Sequence, residues 1–96
     1  MTLIDALNKD FESRVRLGIL SVLMVNDWVD FLEMKALLHV TDGNLASHTM
    51  ALEKKKYIEI RKQFVRKKTK TSYRITPYGR SSFSKHLNAL EQLIKP

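Results

Sequence analysis

The sequence contains no cysteine, and this absence excludes two kinds of protein. Disulfide-linked folds and metal sites built on thiolates both need cysteine side chains. The three histidines, at positions 39, 48 and 86, are scattered and lack carboxylate partners at metal-ligand spacing, so we predict no metal site and no cofactor. A glycine-rich phosphate loop and a nucleophile paired with a base are also missing, which argues against an enzyme.

Long apolar runs are missing as well. No stretch approaches the roughly 18 residues that a membrane-spanning helix needs. Residues 1–10 do not place a basic segment ahead of an apolar core, as a secretion signal would. We therefore expect a cytoplasmic protein without a membrane partner. With 96 residues, the chain is long enough for one domain over residues 1–96.

The positive charge is concentrated in the second half of the chain. Residues 1–53 contain four basic and eight acidic side chains, a net charge of −4, whereas residues 54–96 contain thirteen basic and two acidic ones, a net charge of +11. Repulsion disfavours so many like charges in a small domain unless a polyanion binds them. The alternative is a basic surface that only promotes solubility. We take the asymmetry to favour a nucleic-acid partner.

The first half of the chain has the spacing of helices interrupted by one extended segment. Apolar residues at helical intervals predict a helix from Phe11 to Val25, preceded by a short helical turn. The extended segment follows at 28–31, where Trp28 is expected to anchor packing and Asp30 to cap a second, brief helix. The residues of that helix expected to face inward are Leu32, Leu37 and Leu38.

A third helix is predicted at about 41–55, after a turn of three or four residues. Thr41 is a suitable cap for it. Its apolar face would be formed by Leu45, Thr49 and Leu52, which are spaced at i, i+4 and i+7. Two helices joined by so short a turn are typical of a helix-turn-helix.

The periodicity then changes from helix to strand. Residues 57–65 and 71–75 alternate as strands do, and the intervening "RKKTK" is predicted to be a basic tip without structure of its own. Thr76 and Pro77 fit the start of a last helix, within 76–96. The predicted order is helix, short strand, helix, helix, hairpin, helix. This is the α+β, mainly α order of a winged helix-turn-helix.

Four stretches, "NDWVDF", "LLHVTDGNLASH", "LEKKKYIEI" and "YRITPYGR", resemble compact winged-helix transcriptional regulators related to the MarR-like and ArsR-like families. The resemblance covers about residues 10–94. It implies a homodimeric regulator whose third helix lies in the major groove of DNA, whose wing touches the backbone or minor groove, and whose last helix takes part in dimerisation. Nucleoid association would follow from such a role.

Three positions depart from the pattern of these families. Relatives usually have glycine where Lys56 stands, because a left-handed backbone ends the helix there. They often have leucine at the position of Thr49, and a basic residue at Ser47 or Met50. The usual contact between arginine and guanine is therefore not expected here.

The residues predicted to bind double-stranded DNA fall into two groups. Those on the recognition helix, about 41–55, are Thr41, Asn44, Ser47, His48, Met50 and Lys54. Those on the wing, about 61–74, are Arg61, Lys62, Arg66, Lys67, Lys68, Lys70 and Arg74, with no acidic residue among them. Asparagine and serine can pair with base edges, whereas the cations neutralise phosphates. The helix would thus read bases weakly and the wing would supply affinity.

The last helix carries an apolar stripe that a small core does not fully cover. Its members are Phe83, Leu87, Leu90 and Ile94. We predict that this stripe forms a homodimer seam, which would place two recognition helices about 34 Å apart on a pseudo-palindromic site. Two alternatives remain from the sequence: a winged-helix protein–protein adaptor that docks through its acidic half, and an RNA-binding module. No effector ligand is identified by the sequence.

Overall fold

The structure, a computed structural model, describes residues 2–95, and its elements follow the predicted order. Two 3-10 turns, Ile4–Ala6 and Lys9–Phe11, precede four helices and three strands. The helices are α1 (Arg14–Val25), α2 (Phe31–Leu38), α3 (Asp42–Lys54) and α4 (Pro77–Ile94), and the strands are β1 (Val29–Asp30), β2 (Ile58–Val65) and β3 (Lys68–Ile75). The first helix begins later than predicted, because Phe11 belongs to the second 3-10 turn and Ser13 caps α1.

Side-chain caps fix where the helices begin. Asp30 accepts a hydrogen bond from the Glu33 backbone N–H at 2.8 Å, and Thr41 accepts one from the Asn44 N–H at 3.1 Å. Thr76 does the same for the Gly79 N–H at 2.8 Å, with Pro77 in the first turn. These bonds satisfy backbone donors that have no partner within the helix. The three predicted caps are thereby confirmed.

The strands form an antiparallel sheet in the order β1-β3-β2. In the β2–β3 hairpin Ile60 lies opposite Tyr73, and the pairing continues outward to Val65 opposite Lys68. Only Arg66 and Lys67 form the turn, and both have left-handed φ angles, of 51° and 64°. The prediction of a structureless tip over residues 66–70 was therefore wrong. Backbone hydrogen bonds extend the hairpin beyond the point where apolar alternation stops, so side-chain patterns could not detect the extension.

The core lies between the helices and one face of the sheet. The fully buried side chains at its centre are Phe11, Ile19, Leu20, Leu23, Met34, Leu45 and Leu52. The Phe11 ring packs edge-on against Phe83 of α4, with ring centroids 5.4 Å apart, and lies 4.8 Å from Tyr57. Aromatic pairs at such distances add to the burial of apolar area. Phe11 therefore joins the start of the chain to its last helix.

The inward face of α2 differs from the prediction. Leu32 and Leu37 are 73% and 56% exposed, whereas Met34 is fully buried and Leu38 is half-buried against the core. Met34 and Leu38 are four residues apart and share one side of the helix. Because most of this short helix is apolar, spacing alone did not show which stripe would be buried.

A left-handed Lys56, with φ of 71°, ends α3. The Tyr57 N–H donates to the Leu52 carbonyl at 3.0 Å, and the Lys56 N–H donates to the Glu53 carbonyl at 2.9 Å. This pair of bonds is a Schellman motif, which normally has glycine at the left-handed position. Lys56 thus adopts the left-handed backbone that glycine normally supplies at this position of the motif.

The start of α4 is fastened to the residues that follow α3. The Thr76 hydroxyl donates to the carbonyl oxygens of Lys56 and Tyr57, at 2.7 and 3.0 Å. Gly79 packs so closely that a Cβ built on it would lie 2.0 Å from the Tyr57 carbonyl oxygen. A side chain at this position would push α4 away from β2. Thr76 and Gly79 together hold α4 next to the end of α3.

Candidate nucleic-acid interface

One side of α3 anchors the helix and the other side is open to solvent. Leu45, Thr49 and Leu52 are buried, as predicted, and the Thr49 hydroxyl donates to the Leu45 carbonyl at 2.9 Å. The buried threonine hydroxyl is therefore not left unpaired. The exposed side presents Gly43, Asn44, Ser47, Met50 and Lys54. This surface is small, largely uncharged and suited to close approach by a base edge.

The first turn of α3 combines a cap with an ion pair. The Thr41 side chain is exposed, but its oxygen already accepts the Asn44 N–H. Asp42, the acidic residue of this turn, lies 2.6 Å from the Lys35 ammonium group of α2. An unpaired carboxylate here would repel a DNA phosphate. The Lys35 ammonium group offsets this negative charge at the start of α3.

His48 is half-buried and bonded to an arginine of α1. Its Nδ1 atom accepts a hydrogen bond from the Arg16 Nε–H at 3.0 Å, and Arg16 also donates to the Asp10 carbonyl at 3.2 Å. Burial, and then the neighbouring Arg16 charge, lowers the pKa of His48 below its usual 6.5. Neutral His48 therefore brings no positive charge to the surface. Arg16, which positions α3 against α1, had no signal in the sequence.

The three lysines that follow Glu53 are not equivalent. All three are exposed, but within residues 2–95 only the Lys55 ammonium group forms an ion pair, with Asp10. Asp10 also accepts a bond from the Tyr57 hydroxyl at 2.7 Å. The Lys55 hydrogen bond, followed by that of Tyr57, lowers the pKa of Asp10, and burial together with Asp10 raises the pKa of Tyr57 to about 12. Lys55 therefore serves the fold and is less available to DNA.

The outer part of the hairpin is a basic, solvent-exposed wing. Every residue from 62 to 70 is exposed. The cations on this part are Lys62, Arg66, Lys67, Lys68 and Lys70. None of the five is paired with an acidic side chain among residues 2–95. Such unpaired cations on a protruding hairpin are suitable for neutralising phosphates.

Arg61 and Arg74, predicted as wing contacts, occupy the base of the hairpin. Their guanidinium carbons lie 4.0 and 4.5 Å from the centroid of the Trp28 ring, within cation–π distance. Arg74 also forms an ion pair with Glu59 at 2.9 Å. Trp28 therefore packs against cations on the sheet face opposite the core, and the two arginines are less free than the cations of the outer wing.

A groove of about 510 Å³ separates α3 from the hairpin. Its lining includes Phe31, Met50 and the acidic Glu53 on the helical side and Ile60, Lys62 and Thr71 on the hairpin side. Its walls are mainly apolar, and Lys62 stands on the hairpin side. The groove joins the open side of α3 and the inner edge of the wing into one continuous surface. The sequence predicted the two parts but not that they are adjacent.

The stripe on α4 divides into a buried and an exposed part. Phe83 is 1% exposed and packs on Phe11, so its predicted place in a dimer interface was wrong. Leu87, Leu90 and Ile94 are 41%, 38% and 82% exposed. Leu93, which was not among the predicted residues of the stripe, is 40% exposed. The first half of α4 completes the monomer core, and the second half leaves apolar side chains uncovered.

Neither a metal site nor a membrane span emerges from the part of the chain that the structure describes. Within residues 2–95 no three histidine or acidic side chains gather as metal ligands would. No helix in this range has both the length and the apolar character needed to cross a membrane. His86 is buried, and its Nδ1 accepts the Asn8 backbone N–H at 3.0 Å.

Sequence comparison links the chain to DNA-binding domains. A family model described as a winged helix DNA-binding domain matches residues 15–94. An uncharacterized protein of Methanocaldococcus jannaschii is 36% identical over 87 residues, which are 91% of this chain and 95% of that protein. The similarity extends over both the helix-turn-helix and the hairpin, so it includes every part of the surface described above.

Structural comparison gives the same result. A transcriptional regulator homologue from Pyrococcus horikoshii is 27% identical, with a TM-score of 0.87 over 96% of this chain and 92% of that one. A MarR-family transcriptional regulator from Silicibacter pomeroyi shares the fold at 16% identity, with a TM-score of 0.63 over 98% of this chain and 70% of that one. The family match and these similarities confirm the predicted winged-helix fold, which the MarR-family regulator shares, and membership of a DNA-binding domain family supports the prediction that the chain is not an enzyme.

Proposed function

Because the chain belongs to the family of winged helix DNA-binding domains, we propose that it binds double-stranded DNA sequence-specifically as a homodimeric transcriptional regulator. In this proposal α3 enters the major groove and the wing contacts the adjacent backbone and minor groove. The observation that carries the proposal is the shared surface formed by the open side of α3, the groove and the unpaired cations of the wing. The protein would act in the cytoplasm, at the nucleoid.

Affinity and base preference would come from different elements. Asn44 and Ser47 are exposed near the start of α3, where side chains of a recognition helix meet base edges. Asparagine pairs bidentately with adenine, and serine bonds to several bases. The cations of the outer wing supply charge without sequence information. Lys54 extends the charged surface from the end of α3.

The proposed dimer uses the uncovered half of α4. The second half of this helix carries an exposed apolar surface, made up of Leu87, Leu90, Leu93 and Ile94. The 3-10 turn Ile4–Ala6 packs beside α4, and Ile4 is itself 67% exposed. Apolar surface gathered in one place on a small domain is typical of a subunit interface. A two-fold axis through α4 would pair two recognition surfaces.

A mobility-shift titration against mixed duplex DNA fragments, at low and moderate salt, tests the proposal. If about six phosphates are neutralised, affinity should fall on the order of a thousandfold between 50 and 200 mM salt. Absence of binding at low salt would refute DNA binding. Preferential competition by duplex RNA would instead support the RNA-binding alternative. If neutralising Lys67, Lys68 and Lys70 left binding unchanged, the wing would have no part in it.

A further inference from the structure

Phe64 is an exposed aromatic residue in the middle of the basic wing. Its side chain is 76% exposed, although an aromatic ring of this size is normally buried. No acidic residue occurs between positions 61 and 74, so cations are its charged neighbours along the hairpin. An apolar side chain displayed among unpaired cations indicates a surface that meets a polyanion with apolar parts of its own. Nucleic acid, with sugars and base edges between its phosphates, has this chemistry.

Phe64 lies on the side of the hairpin that faces α3. Strand alternation puts it on the same face as Ile60 and Lys62, both of which line the groove beside α3. Val65, the next residue, lies on the opposite face and is 44% exposed. The two residues therefore form a natural comparison, because both are apolar and near the tip but only one is on the inner face.

The position along the strand determines what Phe64 can reach. Four residues separate it from Ile60, which corresponds to about 13 Å at roughly 3.3 Å per residue. Successive major-groove turns are about 34 Å apart, so the adjacent minor groove is centred about 17 Å from the major groove. With α3 in the major groove and the hairpin directed along the DNA axis, a displacement of about 13 Å would bring Phe64 close to the neighbouring minor groove.

Cations flank the ring on both sides. Lys62 lies nearer the core on the same face, and Arg66 and Lys67 form the turn beyond it. A two-residue turn with both φ angles positive normally uses Asn-Gly, which adopts this backbone without strain. Two long cations are instead placed in strained conformations at the tip, an arrangement that suggests function. Cations on both sides of an apolar ring suit a groove whose two edges are lined by phosphates.

We propose that Phe64 inserts its ring into the minor groove adjacent to the major groove occupied by α3, and that it disfavours base pairs carrying the guanine 2-amino group. This inference rests on the DNA binding proposed above. Apolar side chains can enter a minor groove and wedge against base edges and sugars. The 2-amino group is the donor that distinguishes G·C pairs there, and an apolar ring would bury it without a hydrogen-bond partner. Phe64 would thus add specificity for pairs without that group.

Two synthetic duplexes separate minor-groove from major-groove recognition. Poly(dI-dC) and poly(dG-dC) present the same major-groove groups, but poly(dI-dC) lacks the 2-amino group in the minor groove. Fluorescence anisotropy at low salt should show wild type binding poly(dI-dC) about tenfold more tightly. Phe64→Ala should lose most of this advantage, whereas Val65→Ala should retain it. Thermal unfolding followed by circular dichroism should show both variants folded, since both side chains are exposed.

The outcomes distinguish this inference from the function it rests on. Equal binding of the two duplexes by wild type would overturn the insertion of Phe64, as would a full preference retained in Phe64→Ala. Loss of the preference in both variants would show that the hairpin as a whole, and not Phe64, is responsible for it. This result would also overturn the inference. Failure of wild type to bind either duplex at low salt would contradict DNA binding itself.

Discussion

At the scale of single residues, Lys56 is placed in a conformation that favours glycine. Its left-handed backbone closes the Schellman motif of α3. A left-handed conformation costs a side-chain-bearing residue roughly 1–2 kcal/mol. The exposed Lys56 side chain is not needed to fill the core. The strain is thus a local property of the helix end.

We predict that Lys56→Gly raises the free energy of unfolding by about 1 kcal/mol, because glycine relieves this strain while losing some entropy on folding. Chemical denaturation measures the change. Lys56→Ala is the matched control, since it removes the charge but keeps a Cβ, and it should not stabilise the protein. Equal stabilisation by both variants would assign the effect to charge repulsion rather than to the backbone.

His86 links protonation to folding. It is 2% exposed, and its Nδ1 accepts the Asn8 backbone N–H, so the neutral imidazole fits its site. Burial lowers the pKa of His86 below 6.5, opposed in part by the Glu12 carboxylate. The pKa of His48 is lowered as well. Below pH 6.5 these two histidines therefore bind more protons in the unfolded chain than in the folded chain.

The free energy of unfolding should be highest above pH 6.5 and should fall progressively as the pH is lowered toward the depressed pKa values. Denaturant titrations between pH 7.5 and 5 measure this decline. His86→Asn, which keeps an acceptor near the position of Nδ1, should flatten the decline although it lowers stability throughout. An unchanged slope in His86→Asn would show that another group controls the acid sensitivity.

Among the elements, the proposed function assigns base preference to α3 and affinity to the wing. We predict that Ser47→Ala changes sequence preference more than total affinity, because in the proposed complex the serine hydroxyl bonds to base edges and carries no charge. Lys68→Ala should weaken binding to all sequences and reduce the salt slope by about one. Binding measured against several duplexes at several salt concentrations tests both. Indistinguishable behaviour of the two variants would contradict this assignment of α3.

Some features of the helices and strands could be predicted from the sequence, and others could not. The caps at Asp30, Thr41 and Thr76 were predictable because local chemistry determines them. The wrong inward face of α2, with Leu32 exposed, came from a short helix that is apolar on several sides. The hairpin was underestimated because backbone pairing, which extends it to Lys68, leaves no apolar pattern.

Contacts between distant residues were the least predictable. The bond from Arg16 to His48 joins residues 32 positions apart, and the ion pair of Lys55 with Asp10 joins residues 45 apart. The ring of Trp28 meets two arginines from other strands. No spacing rule connects such partners, because the tertiary fold brings them together. Of the candidate site, the exposed side of α3 and the basic wing could therefore be predicted, but their structural support could not.

For the molecule as a whole, the proposed dimer depends on the uncovered apolar half of α4. We predict that the double variant Leu87→Glu, Leu90→Glu is a folded monomer, because both side chains are partly exposed and charges would repel across a two-fold seam. Its affinity for a palindromic site should fall well below that of wild type. Sedimentation equilibrium measures the mass.

Two controls separate assembly from folding. Leu32→Glu changes an equally apolar residue that is 73% exposed on α2, and it should leave the mass unchanged. Phe83→Ala removes a ring from the monomer core and should lower stability by about 3–5 kcal/mol. If the double variant kept the wild-type mass, or if wild type were itself a monomer, the proposed seam on α4 would be refuted.

Selection of bound sequences from a random pool of duplex DNA is the sharpest test of the proposed DNA binding, because it reports binding, symmetry and base preference together. A winged-helix dimer reading DNA through α3 should enrich pseudo-palindromic sites whose half-sites are centred about one helical turn, roughly 34 Å, apart. The flanking minor-groove positions should be poor in guanine–cytosine pairs. Recovery of the unselected pool after several rounds at low salt would contradict the claim.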